Sequence, residues 1–180
     1  SRIDRILEHA DPVLVLDVDA LAGADCSSYP DAAPEVAVRP ENTQYVTYAW
    51  GPTRELKGVA IPRGAVANFL ATAECRFPLS PAERMLFSTT VALDMANTEL
   101  YLPLISGATM VVAGKDTVTD MSAVAELMHR HGVTAVQATP AFWQTLLMHE
   151  PHVANGLRII IGGEALPERL AKVLAKQAAE

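Results

Sequence analysis

Residues 133–147 read VTAVQATPAFWQTLL, and the change of pattern inside this stretch decides the fold. VTAVQAT is a β-rich apolar run broken only by the amide of Gln137, which predicts a strand. PAFWQTLLMH follows with apolar residues at helical spacing. Its leading Pro140 suits a first helical turn, where a missing N–H costs nothing. The same strand-then-helix unit recurs on either side. RMLFST, TMVVAG and LRIIIG read as strands. DMANTELYLPLISG, closed by Gly107, TDMSAVAELMHRHG, closed by Gly132, and LPERLAKVLAKQAAE read as helices. Upstream, TQYVTYA predicts a strand, YAWGPTRELKG a glycine-bounded loop and RGAVANFLATAECRF a helix. The strands are continuously apolar rather than alternating, as strands covered on both faces are. Short joins between such units imply right-handed crossovers. The expected fold class is α/β: a three-layer α/β/α arrangement with a mostly parallel sheet, flavodoxin-like. Residues 1–43 add one leading helix–strand unit, RILEHADPVLVLD, and a Pro-, Ser- and Asp-rich loop. Residues 44–180 carry the main layers, and one compact domain overall is expected.

Composition narrows the class of partner. Half of the 180 residues are apolar and 19% are charged, which argues for a well-cored domain and against disorder. A net charge of −7 with no Lys/Arg cluster argues against nucleic acid as the main partner. Cys26 and Cys75 lie far apart and form no metal-ligand pattern, so they read as free or buried thiols of a reducing, cytoplasmic setting. His9, His149 and His152 are too scattered for a metal site, while His129 and His131 fall where a helix C-terminus favours a cation. No apolar run approaches the roughly 20 residues that cross a bilayer. The chain opens within an element and without an initiating Met, and reads as a piece of something larger.

In a parallel sheet of this kind ligands sit beyond the carboxyl ends of the strands, which directs attention to the strand ends. The loop after TQYVTYA places glycines, Thr53 and Lys57 between a strand and an expected helix, a way of presenting N–H groups to phosphate, although GxxxxGK[ST] is not matched. A plain surface loop is the alternative. Asp94 stands at the start of a helix, either as its N-cap or as an anchor for a substrate cation. Gln137 is either satisfied by backbone or lines a pocket. Phe142 and Trp143 read as core rather than as a ligand platform. Gly162 and Gly163 permit close approach by a flat ligand or by another backbone, and Glu164 favours the start of the following helix or faces that ligand. No Ser-His-Asp set can be assembled, and Ser88 is not in a GxSxG elbow.

Taken in order, these strand ends resemble the amino-acid adenylation domains of nonribosomal peptide synthetases, within the adenylate-forming ligase superfamily. TQYVTYAWGPTRELKGVAIPRGAVANFL resembles the phosphate-loop core YTSGTTGxPKGV and its following helix. STTVALDMANTELYLPLISGATMVVA resembles the core FDxSxxE with its PLxxGA tail. VTAVQATPAFWQTLL and LRIIIGGEALP resemble the two segments after it, so the resemblance covers nearly the whole chain. It implies ATP-dependent activation of an amino acid, with Mg, followed by transfer to a carrier-protein thiol. It implies that Asp94 binds the α-ammonium and that Met95, Thr98, Gln137, Ile160 and Gly162 line the side-chain pocket. Gly163, Glu164 and Ala165 would lie near the adenine, and Gly51, Thr53 and Lys57 would belong to the phosphate loop. No catalytic or metal-binding residue is implied within the chain. The parent's other adenylation-domain segments and a carrier protein are the implied partners, with no nucleic acid and no membrane.

The sequence also departs from that pattern. Trp50 stands at the family's serine, Pro52 at one of its threonines and Arg54 at its second glycine. Pro52 removes a backbone donor and Arg54 removes glycine's freedom, so no tightly bound nucleotide is expected on this chain alone. The leading expectation is a fragment of an amino-acid-activating domain that is inactive by itself. A degenerate, non-catalytic adenylation-like scaffold in a megasynthase is the alternative, and a free-standing flavodoxin-like binding domain is a third.

Overall fold

The structure, a computed structural model, describes residues 1–50 and 55–178. In chain order its elements are α1 (Arg2–Ala10), α2 (Val18–Ala22), β1 (Thr43–Trp50), β2 (Leu56–Pro62), α3 (Arg63–Arg76), β3 (Arg84–Phe87), α4 (Ala96–Ile105), β4 (Thr109–Val112), α5 (Lys115–Val118), α6 (Met121–His131), β5 (Ala135–Ala138), α7 (Pro140–His149), β6 (Arg158–Ile161) and α8 (Glu168–Gln177). The backbone divides into two compact units, Ser1–Ala65 and Val66–Glu180.

In the second unit the expected parallel sheet is present. Its order is β4-β3-β5-β6, with every neighbouring pair parallel. Register sorts the side chains onto two faces, because successive residues of a strand point opposite ways. Leu86 lies beside Val111 on one flank and Val136 on the other. That row packs against Val124 and Met128 of α6, Trp143 and Leu146 of α7, and Leu170 and Leu174 of α8. Met85 and Ala135, one residue earlier in register, belong with Ile160, Ala73 of α3 and Leu102 of α4 in a second cluster. Helices therefore cover both faces, which is why these short strands carry no polar alternation. Trp143 is fully buried in the first cluster, as its core reading required.

The helix boundaries follow from capping chemistry. Asp120 accepts the N–H groups of Ser122 and Ala123 at the start of α6. Gly132 closes that helix in the left-handed region at φ 58°, a conformation that costs glycine little. Thr139 caps α7 by accepting the N–H of Phe142 at 3.2 Å, with Pro140 in the first turn.

The first unit differs from the sequence reading in two places. TQYVTYA does form a strand, but it joins no parallel sheet. β1 pairs antiparallel with β2, from Thr43 opposite Pro62 to Trp50 opposite Leu56. The expected glycine-bounded loop YAWGPTRELKG thus ends inside a strand, since Leu56, Lys57 and Gly58 open β2, and an antiparallel pair with a solvated face tolerates Lys and Gly there. The expected strand in PVLVLD is also absent: residues 11–17 contain no strand, and Val13, Leu14, Val15 and Leu16 are exposed. Strand-forming side chains do not make a strand without a pairing partner, and residues 11–17 pair with none of the described strands. Cys26 and Cys75 are free and exposed. No described helix is long and apolar enough to cross a membrane.

Candidate functional site

The carboxyl ends of β3, β5 and β6 gather most of the residues singled out from the sequence. Asp94 lies in the turn between β3 and α4, one residue before the cap position, which is occupied by Met95 without any side-chain cap bond. The N-cap alternative for Asp94 is thereby overturned. Its main-chain carbonyl accepts both the N–H of Asn97 at 3.0 Å and the Asn97 side-chain amide at 2.9 Å. Its carboxylate is left exposed and has no hydrogen-bond or ion-pair partner among the described residues.

The residues near Asp94 are polar as well as apolar. Gln137, 5% exposed, donates from Nε2 to the main-chain carbonyl of Met95 at 2.7 Å. The same carbonyl accepts the N–H of Thr98, itself buried, at 3.3 Å. Gln137 stands in register with Ile160 of β6, also buried. Gly162 continues that strand's ladder by donating to the carbonyl of Ala138 at 3.4 Å. The Met95 side chain runs along the glycines that follow. A methyl group added to Gly163 would come within 3.0 Å of Met95 Sδ and 3.4 Å of Thr139 Cγ2. Met95, Gln137, Ile160, Gly162 and Gly163 are thus brought together, with Thr98 one helical turn along α4. Glu164 and Ala165 are exposed in the loop ahead of α8, whose first-turn acid is Glu168 and not Glu164.

The segment read as a phosphate loop is built differently from the strand–loop–helix expected. Lys57 is exposed and lies within β2, opposite Ala49, and Gly58 stands opposite Tyr48. The next helix, α3, begins only at Arg63, so a hairpin stands where a helix N-terminus was expected. Gly51 and Thr53, with Pro52 and Arg54, lie outside the described residues.

One residue of the site went unnoticed in the sequence. Glu99 of α4 is fully buried, with Oε2 accepting the N–H groups of Ser88 at 2.8 Å and Thr89 at 3.0 Å. The Thr89 hydroxyl donates to Oε1. Burial raises the Glu99 pKa above the usual carboxylate range, outweighing these donors, which pull it down. The available signal was in the quoted core itself, since Glu99 stands at the Glu of FDxSxxE when Asp94 stands at its Asp.

A sequence profile described as AMP-binding enzyme matches residues 2–180. A dimodular nonribosomal peptide synthase from Bacillus subtilis (strain 168) is 39% identical over 163 residues, which is 91% of this chain and 7% of that protein. A PKS-NRPS hybrid synthetase from Aspergillus niger is 37% identical over 145 residues, 80% of this chain and 8% of the other. Among solved structures, a four-domain holo nonribosomal peptide synthetase bound to AMP and glycine is similar with a TM-score of 0.82 at 28% identity. That match covers 98% of this chain and 14% of the synthetase. This chain therefore spans only a small part of the proteins it matches.

Proposed function

The chain belongs to the AMP-binding enzyme family, and from that premise we propose that it forms part of a domain that activates an amino acid as its adenylate in nonribosomal peptide synthesis. The relatives and the structural neighbour above are synthetases of that kind. The observation that carries the reading is the Asp94 carboxylate. It is exposed and unpartnered among the described residues, directly before Met95, whose main-chain carbonyl is already satisfied by Gln137. A carboxylate so placed is suited to receive an ammonium.

In this reading Asp94 takes the substrate α-ammonium, and Met95, Thr98, Gln137, Ile160 and Gly162 form the side-chain pocket. Gly163, Glu164 and Ala165 face the adenine of ATP, and Gly51, Thr53 and Lys57 attend its phosphates. The substrate carboxylate attacks the α-phosphorus, the bond to the β-phosphate oxygen breaks and pyrophosphate leaves. The acyl group then passes to a carrier-protein thiol, with AMP released. Mg would arrive with the ATP phosphates. No group of three His, Cys, Asp or Glu side chains among the described residues is placed to hold a metal.

The test is amino-acid-dependent ATP–pyrophosphate exchange across an amino-acid panel, on the whole protein that carries this chain. Exchange that is lost in Asp94→Ala supports the reading. The 180-residue chain alone is expected to show no exchange, and calorimetry to find nothing tighter than about millimolar. Trp50, Pro52 and Arg54 favour a second reading, a non-catalytic scaffold of the same descent. A whole protein that stays inactive after reversion of those residues to Ser, Thr and Gly supports the scaffold.

A further inference from the structure

The hairpin that carries Lys57 is loaded differently on its two faces. Tyr48 stands opposite Gly58, and Ala49 opposite Lys57. Successive residues of a strand point opposite ways, so Tyr48 and Gly58 share one face and Lys57 lies on the other. The Tyr48 ring lies against Gly58: a methyl group added there would come within 3.1 Å of Cε1 and 3.2 Å of Cζ. Gly58 has no positive φ, so it is the ring and not the backbone that requires a glycine. Both ends of α1 hold the same tyrosine. Its hydroxyl and His9 Nδ1 hydrogen-bond at 3.1 Å, with the two rings edge to face, and Arg2 Nη2 donates to its main-chain carbonyl at 3.3 Å. No residue of α1 is buried, so the attachment of that helix leans on such contacts rather than on a core.

The ring marks the register of the two strands. Gly58 is the one glycine of LKGVAIP, so no other residue of β2 fits beneath the ring without a clash. A one-residue slip would bring Lys57 or Val59 opposite Tyr48 and carry Lys57 to the α1 face. The sidedness bears on phosphate because the start of α3 offers little: its Arg63 and Gly64 N–H groups already donate to the Asn42 and Pro40 carbonyls, each at 2.8 Å. Lys57 is exposed and has no partner among the described residues.

We propose that Tyr48 is a positioning residue for Lys57: seated on Gly58 and held by α1, its ring fixes the β1–β2 register and so the face from which the Lys57 ammonium meets the ATP phosphates. The proposal rests on the adenylation reading in so far as Lys57 attends those phosphates.

Tyr48→Ala, Tyr48→Phe and Gly58→Ala in the whole protein test this, assayed well below their melting temperatures so that loss of fold does not enter. In Tyr48→Ala the ring is gone, and in Gly58→Ala the new methyl drives it off the strand. Each is expected to raise the KM for ATP in pyrophosphate exchange about tenfold and to leave the amino-acid KM little changed. Tyr48→Phe keeps the ring and gives up the bond to His9, so its KM for ATP should rise about threefold at most. An ATP KM unchanged in both alanine variants, or an amino-acid KM that rises with it, overturns the proposal and makes the tyrosine a structural group only. If the unsubstituted protein exchanges no amino acid, the adenylation reading fails and a second readout decides. Ala49→Cys combined with Lys57→Cys places two thiols opposite each other across the hairpin, close enough to be oxidised to a disulfide while the register holds. Mass spectrometry should find that disulfide forming severalfold more slowly once Tyr48→Ala is added, and an unchanged rate overturns the proposal.

Discussion

Gln137 donates to the main-chain carbonyl of Met95 across 2.7 Å, tying the end of β5 to the first turn of α4. The hydrogen bond therefore joins two residues 42 apart in sequence. Gln137→Met keeps the shape and removes the donor, leaving the part-buried Met95 carbonyl short of a partner. The expected loss is about 1–3 kcal/mol, the cost of leaving buried polar groups unsatisfied. Urea unfolding with an unchanged slope measures it, and a midpoint equal to the parent's would show the bond to be dispensable.

Gly163 and Gly162 are adjacent, yet they answer differently to a methyl group. Gly163 has φ 85° and its added Cβ would crowd Met95 Sδ and Thr139 Cγ2. The thioether can swing aside, but Thr139 is held by its cap bond to Phe142. Gly163→Ala should cost about 1–2 kcal/mol from the left-handed backbone alone. Gly162 has no positive φ, and its nearest atom, Met95 Cε, is 3.8 Å from the built Cβ, an ordinary contact. Gly162→Ala should stay within about 0.5 kcal/mol. Thermal melts of both variants check the contrast, and equal shifts would refute it.

Glu99 makes stability depend on pH in a direction opposite to most carboxylates. Its folded pKa is raised, chiefly by burial. Between the unfolded and folded values the native state holds a proton that the unfolded state has released, so the slope of stability with pH is negative there. The contribution is fully present below the ordinary glutamate pKa and is lost as pH rises through the raised one. The melting-temperature difference between the parent and Glu99→Gln should therefore shift against the parent as pH climbs through that window. A difference that stays flat with pH would remove the linkage.

How much of this could be read from residues alone varies with the kind of signal. The parallel sheet was legible because its strands, such as RMLF and AVQA, are apolar on both faces, and α6 and α7 announce their own ends through Asp120, Gly132 and the Thr139–Pro140 pair. The β1–β2 hairpin was not, because antiparallel pairing is settled by a partner segment, and Lys57–Gly58 disguises that partner as loop. PVLVLD failed for the converse reason, since it has strand-forming side chains yet pairs with no strand among the described residues. In the site, Asp94, Gln137 and the Gly162–Gly163 pair stood out as unusual residues at strand ends. Glu99 did not, because a glutamate within a helix is ordinarily solvated, although it stands at the Glu of the FDxSxxE core.

Trp143 supplies the last test, because its two parts pull in opposite directions. The ring is fully buried among α6, α7 and α8, while its Nε1–H finds no acceptor among the described residues. Trp143→Ala removes the whole ring and should cost about 3–5 kcal/mol through lost burial and a residual cavity. Trp143→Phe gives up the outer ring but also abolishes the orphaned donor, whose burial is itself unfavourable. The two effects offset, and the net change should stay within about 1.5 kcal/mol, the range of tolerated apolar exchanges. Paired denaturation curves decide the matter: a Phe variant as damaged as the Ala variant would mean that the indole N–H is bonded after all and contributes to the core.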